Sequence, residues 1–490
     1  MNKLSIFLIG VVFGIQAYSQ ENIFLKREFW DTKPTIETID LKIKEGNDIA
    51  EANTNNFDGV VYAILQEAPN KTIEYAISKE GNDVNKLTHD GRTYIFWAAY
   101  KGNVELMQYL VSKGAKTNLT DDKGSTILNF AAASGQKNTK VYDVCLANGA
   151  DLKKDLTPYG ANALLLAAPF DTDFTLIDYF TSKGLDLNSV DADGNGIFNY
   201  VAKTGNISLL KQLLEKGLTF NDNAMIFASQ GTRSSTNTLE FFQFLEGLGI
   251  SPNTISKNGT TALHTLASRS KDVKLLSYFI EKGVDINQTD SNGTTAFMNA
   301  VSRNSLEVVT FLSTYVKNIN AKNNKGETTL SLAIANNSPE IVEFLIGKNA
   351  DVKVLDVNGN HLGFYLLQSY NPKNVDAFEN KLNLLQSKGL DITSAQKDGN
   401  TLYHLALNTN DLELLKRVDQ FKIDINAKNN EGLTALHKAA MKADDVDVLK
   451  YLISIGADKT ITTEFEETVY DLASENELLS QKHVAIDFLK

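Results

Sequence analysis

One cysteine in 490 residues, Cys145, leaves this chain without an intrachain disulfide and without any multi-cysteine metal site. The pattern around it, Val141-Tyr142-Asp143-Val144-Cys145-Leu146, predicts a buried and unreactive thiol. Proline is scarce as well, with 7 residues where an average composition would supply about 5% of the chain, which excludes a collagen-like or proline-rich disordered protein. Positive charge is in deficit. Lys and Arg total 48 against 60 Asp and Glu, and the formal net charge of −12 disfavours nucleic acid as a partner. Histidine is limited to His89, His264, His361, His404, His437 and His483. No HExxH, no G-x-S-x-G, no phosphate-cradling glycine loop and no Cys–His pair occurs. The residues nominate no catalytic group, no cofactor and no metal, and the chain is expected not to be an enzyme.

Long apolar runs are also few. Leu4 to Gly14 is too short to cross ~30 Å of hydrocarbon as a helix. It follows Met1-Asn2-Lys3 and precedes the small residues of Ala17-Tyr18-Ser19, which reads as a secretory signal peptide over 1–19, either cleaved or kept as an anchor. With the signal removed no stretch is apolar enough to span a membrane, and an exported monomer is expected. Short signal, no disulfides and Lys/Asn/Ile-rich usage point to a Gram-negative bacterium and the periplasm, with secretion as the alternative.

A chain of 490 residues exceeds what one hydrophobic core usually serves, so it either splits into domains or repeats. It repeats. Glycines introducing a small-polar, apolar and Ala-containing run recur at Gly59, Gly91, Gly124, Gly160, Gly194, Gly259, Gly293, Gly326, Gly359, Gly399 and Gly432. A degenerate unit around Asn223-Ala224-Met225-Ile226-Phe227-Ala228 fills the one double step, which makes about twelve units of ~33 residues from 57 to 461. A second glycine series, including Gly114, Gly149, Gly283 and Gly456, closes apolar helical patterns where a left-handed residue is needed, with Asn349 standing in once. Each unit therefore predicts a turn, a short helix, a tight link, a longer helix and a glycine exit.

These units resemble the ankyrin repeat family and its T-P-L-H-x-A signature. The nearest matches are Gly432-Leu433-Thr434-Ala435-Leu436-His437-Lys438-Ala439-Ala440 and Gly259-Thr260-Thr261-Ala262-Leu263-His264, with exits such as Ile455-Gly456-Ala457-Asp458. The signature proline is missing from nearly every unit. The resemblance implies an all-α solenoid of helix-turn-helix plus β-hairpin units, and a role in binding another protein. It also implies that His264, His404 and His437 hydrogen-bond between neighbouring hairpins. Residues 20–56 are expected to form an N-terminal cap and 462–490 a C-terminal cap.

Within that frame, the two residues ending each first helix form a row without Asp or Glu. It includes Tyr100-Lys101, Pro169-Phe170, Lys203-Thr204, Ser268-Arg269, Ser302-Arg303 and Met441-Lys442. Aromatic and arginine side chains are the usual anchors of protein interfaces. Tyr100, Lys101, Phe170, Lys203, Arg269 and Arg303 are thus the candidate partner-binding residues, against ordinary solvated surface as the alternative. Insertions at 231–238 and 370–381 are a further possible binding face or neutral drift. Asp-Asn-Gly clusters such as Asp290-Ser291-Asn292-Gly293 recur once per unit without a downstream bidentate Glu, and read as turns rather than Ca²⁺ loops. The expected function is a periplasmic scaffold for a folded protein partner; a secreted effector and a cryptic enzyme are the alternatives.

Overall fold

The computed structural model describes residues 21–233, 235–409, 411–482 and 484–490. The expected signal segment and His483 lie outside the described residues. The chain divides into two compact units, one up to Val201 with Ser208–Phe220, the other comprising Ala202–Ile207 and Asn221–Lys490.

Each unit is built from helix pairs. In the first, Gly59–Leu65 pairs with Asn70–Ile77, Tyr94–Lys101 with Val104–Ser112, and Ile127–Ala133 with Thr139–Ala147. Ala163–Ala167 runs into a 3₁₀ turn, Ala168–Phe170, before Thr175–Ser182. Helices of this length are marginal alone, so packing must hold them. Ala98, Ala99, Ala131 and Ala132 are fully buried on the first helices, which brings neighbouring backbones close, while Leu106, Met107 and Leu110 fill the layer behind. Local chemistry sets where the helices start. Asp58, Thr126 and Asn162 accept from the backbone N–H three residues on, at 2.9, 3.2 and 3.1 Å.

The second unit repeats the plan. Its first helices include Asn223–Gln230, Ala262–Arg269, Ala296–Arg303, Thr329–Asn336, Leu362–Gln368, Leu402–Ala406 and Ala435–Lys442, each followed by a second helix. A further pair, Val469–Ser474 and Glu477–Gln481, follows, its start closed by a reciprocal Thr468–Asp471 capping box. In several of these pairs, one asparagine of the link between the helices bridges back to the preceding repeat. Asn304 Nδ2 donates to the carbonyls of Ala267 and Ser270, both at 2.8 Å, and Asn337 Nδ2 to those of Val301 and Asn304 at 2.9 and 3.0 Å. Orphan carbonyls at a helix end are satisfied across the repeat boundary in this way.

Hairpins between repeats are minimal. Among the described residues they appear as single antiparallel bridges, such as Thr120 with Thr126 and Thr289 with Thr295, rather than as strands. The Asp and Asn residues that open them act as turn formers. Asp290 Oδ1 accepts from the N–H groups of Asn292 and Thr294, both at 2.9 Å, and Asp121, Asn323 and Asp356 do the same in their own turns. Several successive tips are joined by one backbone hydrogen bond, for example Ser291 N–H to Asn258 C=O at 2.7 Å and Asn324 N–H to Asn292 C=O at 2.9 Å.

One glycine is not where the spacing placed it. Gly59 was expected as the turn residue of the first unit, but the left-handed position is taken by Asn56 at φ 58°, and Gly59 lies inside the helix. Its requirement is space: a Cβ there would lie 3.0 Å from Phe24 Cβ and 3.4 Å from Trp30 Cζ2. The N-terminal segment, with helices Arg27–Asp31 and Ile36–Lys44, thus seats the fully buried Phe24 and Trp30 directly on the first helix of the array. Asn349 does take the left-handed exit position, at φ 64°.

Candidate protein-interaction surface

In the first unit a cluster of rings gathers on the face shared by hairpins and first helices. Phe57 stacks on His89 with centroids 4.3 Å apart and lies 5.7 Å from both Tyr62 and Trp97. Trp97 meets Phe130 edge-on at 5.9 Å, and Tyr100 stacks on the other part of Phe130 at 6.0 Å. The Arg92 guanidinium lies 4.1 Å from the Phe130 centroid, a cation–π contact in a half-dry setting. Tyr62, Trp97 and Phe130 each sit six residues past the left-handed turn residues Asn56, Gly91 and Gly124. On a helix, positions three and four further on share that face, which is where Tyr100 and Lys101 stand.

The cluster is held in place by polar contacts at its edges. Trp97 Nε1 donates to Thr88 Oγ1 at 2.8 Å. Arg92 donates to Asp121 Oδ2 through Nε at 3.0 Å and Nη2 at 2.8 Å, and its Nη1 lies 3.0 Å from Asp90. Lys123 adds an ion pair to Asp90 at 2.5 Å, and this pair holds the Asp90 carboxyl below the usual range. Trp97 and Arg92 are buried, Phe57, His89 and Phe130 are half-buried, and Tyr100 is 42% exposed. Water therefore meets a set of ring faces whose rotamers are fixed before any partner arrives.

The expected row divides over the two units. Tyr100 and Phe170, 40% exposed, are outward-facing in the first. Phe170 lies over Gly135 of the preceding repeat, where a Cβ would come within 2.7 Å of its ring. Lys101 is not a free cation: Glu67 pairs with it at 2.5 Å, and the pair lowers the Glu67 pKa. The row contains no acid, but the link of the preceding repeat brings one to it. In the second unit Lys203 lies 4.9 Å over the Phe227 ring. Arg269 is committed to its own scaffold, donating to the Gln230 carbonyl and, at 2.5 Å, to that of Thr232, so it holds the start of the insertion. Arg303 is exposed. Charge is thus a weaker feature of the row than its composition implied. Phe57, His89, Arg92, Trp97 and Phe130 were missed; aromatics recurring six residues beyond the turn in the first repeats, at Tyr62, Trp97 and Phe130, are the signal that marks two of them.

The histidines of the signature serve the scaffold. In each of Thr261–His264, Thr401–His404 and Thr434–His437 the His Nδ1 receives the Thr backbone N–H, at 3.1, 3.2 and 3.0 Å. Each Nε2 reaches the carbonyl of the next hairpin: Thr294 at 3.2 Å, Leu433 at 3.0 Å and Ile461 at 2.9 Å. His361 does a related job from the capping position itself, with Nδ1 accepting from Gly363 N–H and Nε2 on the Ser394 carbonyl. Cys145 is buried, and burial pushes its thiol up to about 12. Among the described residues no group of three or more His, Cys, Asp or Glu is arranged to hold a metal ion, and no helix is long and apolar enough to cross a membrane.

A family model described as ankyrin repeats matches residues 60–155, 225–323, 266–356 and 373–463, more than half of the chain. Over 302 residues, 58% of its length, the chain is 26% identical to alpha-latroinsectotoxin-Lt1a of Latrodectus tredecimguttatus, of which it covers 20%. It is 23% identical over 226 residues, 46% of its length, to phosphocholine transferase AnkX of Legionella pneumophila, covering 22% of that protein. With palmitoyltransferase AKR1 of Saccharomyces cerevisiae it shares 30% identity over 134 residues, 27% of this chain and 16% of that one. The chain spans about a fifth of the length of these relatives, so the likeness carries the repeats and not the activities in their names. Ankyrin repeats are in general protein-interaction scaffolds, and the stacked helix pairs, Thr–His caps and repeat-matched residues place this chain in the ankyrin repeat family.

Proposed function

We propose that the protein is a non-enzymatic scaffold that binds a folded protein partner, and that the aromatic face of the first unit carries the contact. The supporting observation is the set of half-exposed rings around Phe57, Phe130 and Tyr100, fixed by Arg92 and Trp97. Rigid aromatic anchors lose little conformational entropy on binding and dominate interface energetics. Phe170 extends the contact on the next repeat, and Lys101, paired with Glu67, supports its edge. The site of action in this reading is the periplasm of a Gram-negative cell, the protein acting as a monomer. That address rests on residues 1–19, and fractionation of the native cell tests it.

The deciding experiment compares affinity capture by the native chain with capture by Phe130→Ala/Tyr100→Ala and by Arg269→Glu/Arg303→Glu, each checked for unchanged helical circular dichroism. A partner lost with the first pair and kept by the second supports the reading. Loss with the second pair alone moves the interface to the second unit. A secreted effector is the second reading, supported by the likeness to proteins named as a toxin and a Legionella transferase. Recovery of the protein from culture medium rather than the periplasmic fraction favours it.

A further inference from the structure

In the second unit the link after Leu362–Gln368 is lengthened, and the helix that follows, Val375–Ser387, has 13 residues where its counterparts Leu306–Ser313 and Pro339–Gly347 have 8 and 9. A cleft of about 570 Å³ opens beside it, lined among others by Asn336, Ser338, Asn371, Asp376, Asn380 and Lys381. Lys381 is only 4% exposed, and its Nζ donates to the Ile334 carbonyl at 2.7 Å. Ile334 stands where Val301 and Ala267 stand in the preceding repeats, and there a neutral link asparagine satisfies the carbonyl. Here an amine does the work of an amide. A cap needs one N–H, so a buried ammonium that pairs with no carboxylate among the described residues is more than the fold requires. Burial holds that amine at about 8, and a larger share of it is unprotonated near neutral pH than for an exposed lysine.

We propose that Lys381 is a covalent attachment site for small polar aldehydes or ketones, with the amide and hydroxyl side chains of the cleft receiving the ligand's hydroxyl groups. The unprotonated Nζ attacks the carbonyl carbon and the C=O π pair moves to oxygen. A proton passes from the nitrogen to that oxygen to give the carbinolamine, whose hydroxyl then takes up a second proton and leaves as water while the nitrogen lone pair forms the C=N bond. The net change is ammonium plus carbonyl to protonated imine plus water, with no oxidant or reductant. The imine keeps one N–H, which retains the bond to Ile334, so the helix end stays closed throughout.

The test treats the full chain with glycolaldehyde and sodium cyanoborohydride and maps the reduced adducts by peptide mass spectrometry. Lys381 should label about tenfold faster than Lys373 and Lys388, exposed lysines of the same repeat, with a rate that levels off above roughly pH 8. Lys381→Arg preserves a donor for Ile334; it should keep the thermal midpoint and lose this adduct alone. Labelling of Lys381 no faster than of Lys373 in the folded chain would overturn the proposal and leave the lysine as a helix cap.

Discussion

His264, His404 and His437 are buried between a threonine cap and the next hairpin, and burial lowers the pKa of each. Their Nδ1 atoms are acceptors, so protonation breaks a cap as well as charging the interior. The unfolded chain binds these protons near pH 6.5 and the folded chain only below that. Stability from these groups is therefore complete above about pH 6.5 and is lost as pH falls below it, by up to about 1.4 kcal/mol per pH unit for each histidine. Thermal melts at pH 7, 6 and 5 check this, and His437→Gln should flatten the slope; a melting temperature constant across that range would refute it. A second residue-level expectation concerns Thr93, whose buried Oγ1 has no hydrogen-bond partner, unlike Thr434, which caps His437 N–H at 3.3 Å. Thr93→Val should leave the melting temperature unchanged or raised, while Thr434→Val should cost ~1 kcal/mol. The hairpin hydrogen bonds of His264, His404 and His437 were expected from the family resemblance, whereas the cap each forms with the threonine three residues before it emerged from the structure. Phe57 and Arg92 were not legible in the chain, since each gains its role only from a ring or carboxylate about thirty residues away.

At the scale of elements, many helices begin where a side chain caps the first turn, as at Asp58, Thr295 and Thr434, and many are followed by a left-handed glycine. Asn223–Gln230 has no capping side chain at Asp222, and Gly231 leads from it into the 231–238 insertion. Its end is held from the next repeat by Arg269, and Asn237 Nδ2 donates to Ala228 C=O at 2.8 Å. Amide hydrogen exchange should accordingly be faster across Asn223–Gln230 than across Ala296–Arg303, where Thr295 Oγ1 accepts from Met298 N–H, by about tenfold or more for a missing cap worth ~1–2 kcal/mol. Equal protection in both would show that stacking alone sets local stability. Degeneracy of this unit shows in its residues as a lost Gly-x-Thr. That Arg269 compensates for it does not, because a surface arginine at a helix end looks identical whether it faces a partner or a carbonyl.

For the whole molecule, quasi-one-dimensional stacking means that each repeat depends mainly on its neighbours. Both tryptophans, Trp30 and Trp97, are buried in the first unit, so fluorescence reports that unit while far-ultraviolet circular dichroism reports every helix. Denaturant unfolding followed by the two signals should give midpoints that do not coincide; superimposable curves would mean the chain unfolds as one cooperative body. The fold class could be read from the bare chain because turn glycines, caps and apolar spacing are local requirements of φ, N–H saturation and helical period, and they recur often enough to be unmistakable. The binding face and the Lys381 cleft could not. Phe57 on His89, Arg92 on Phe130, Lys101 on Glu67 and Lys381 on Ile334 join residues roughly thirty to fifty positions apart, and each contact depends on how one repeat registers on the next. Local pattern places a side chain on a helix; stacking register decides whether that side chain meets solvent, a ring, a counter-charge or an open carbonyl.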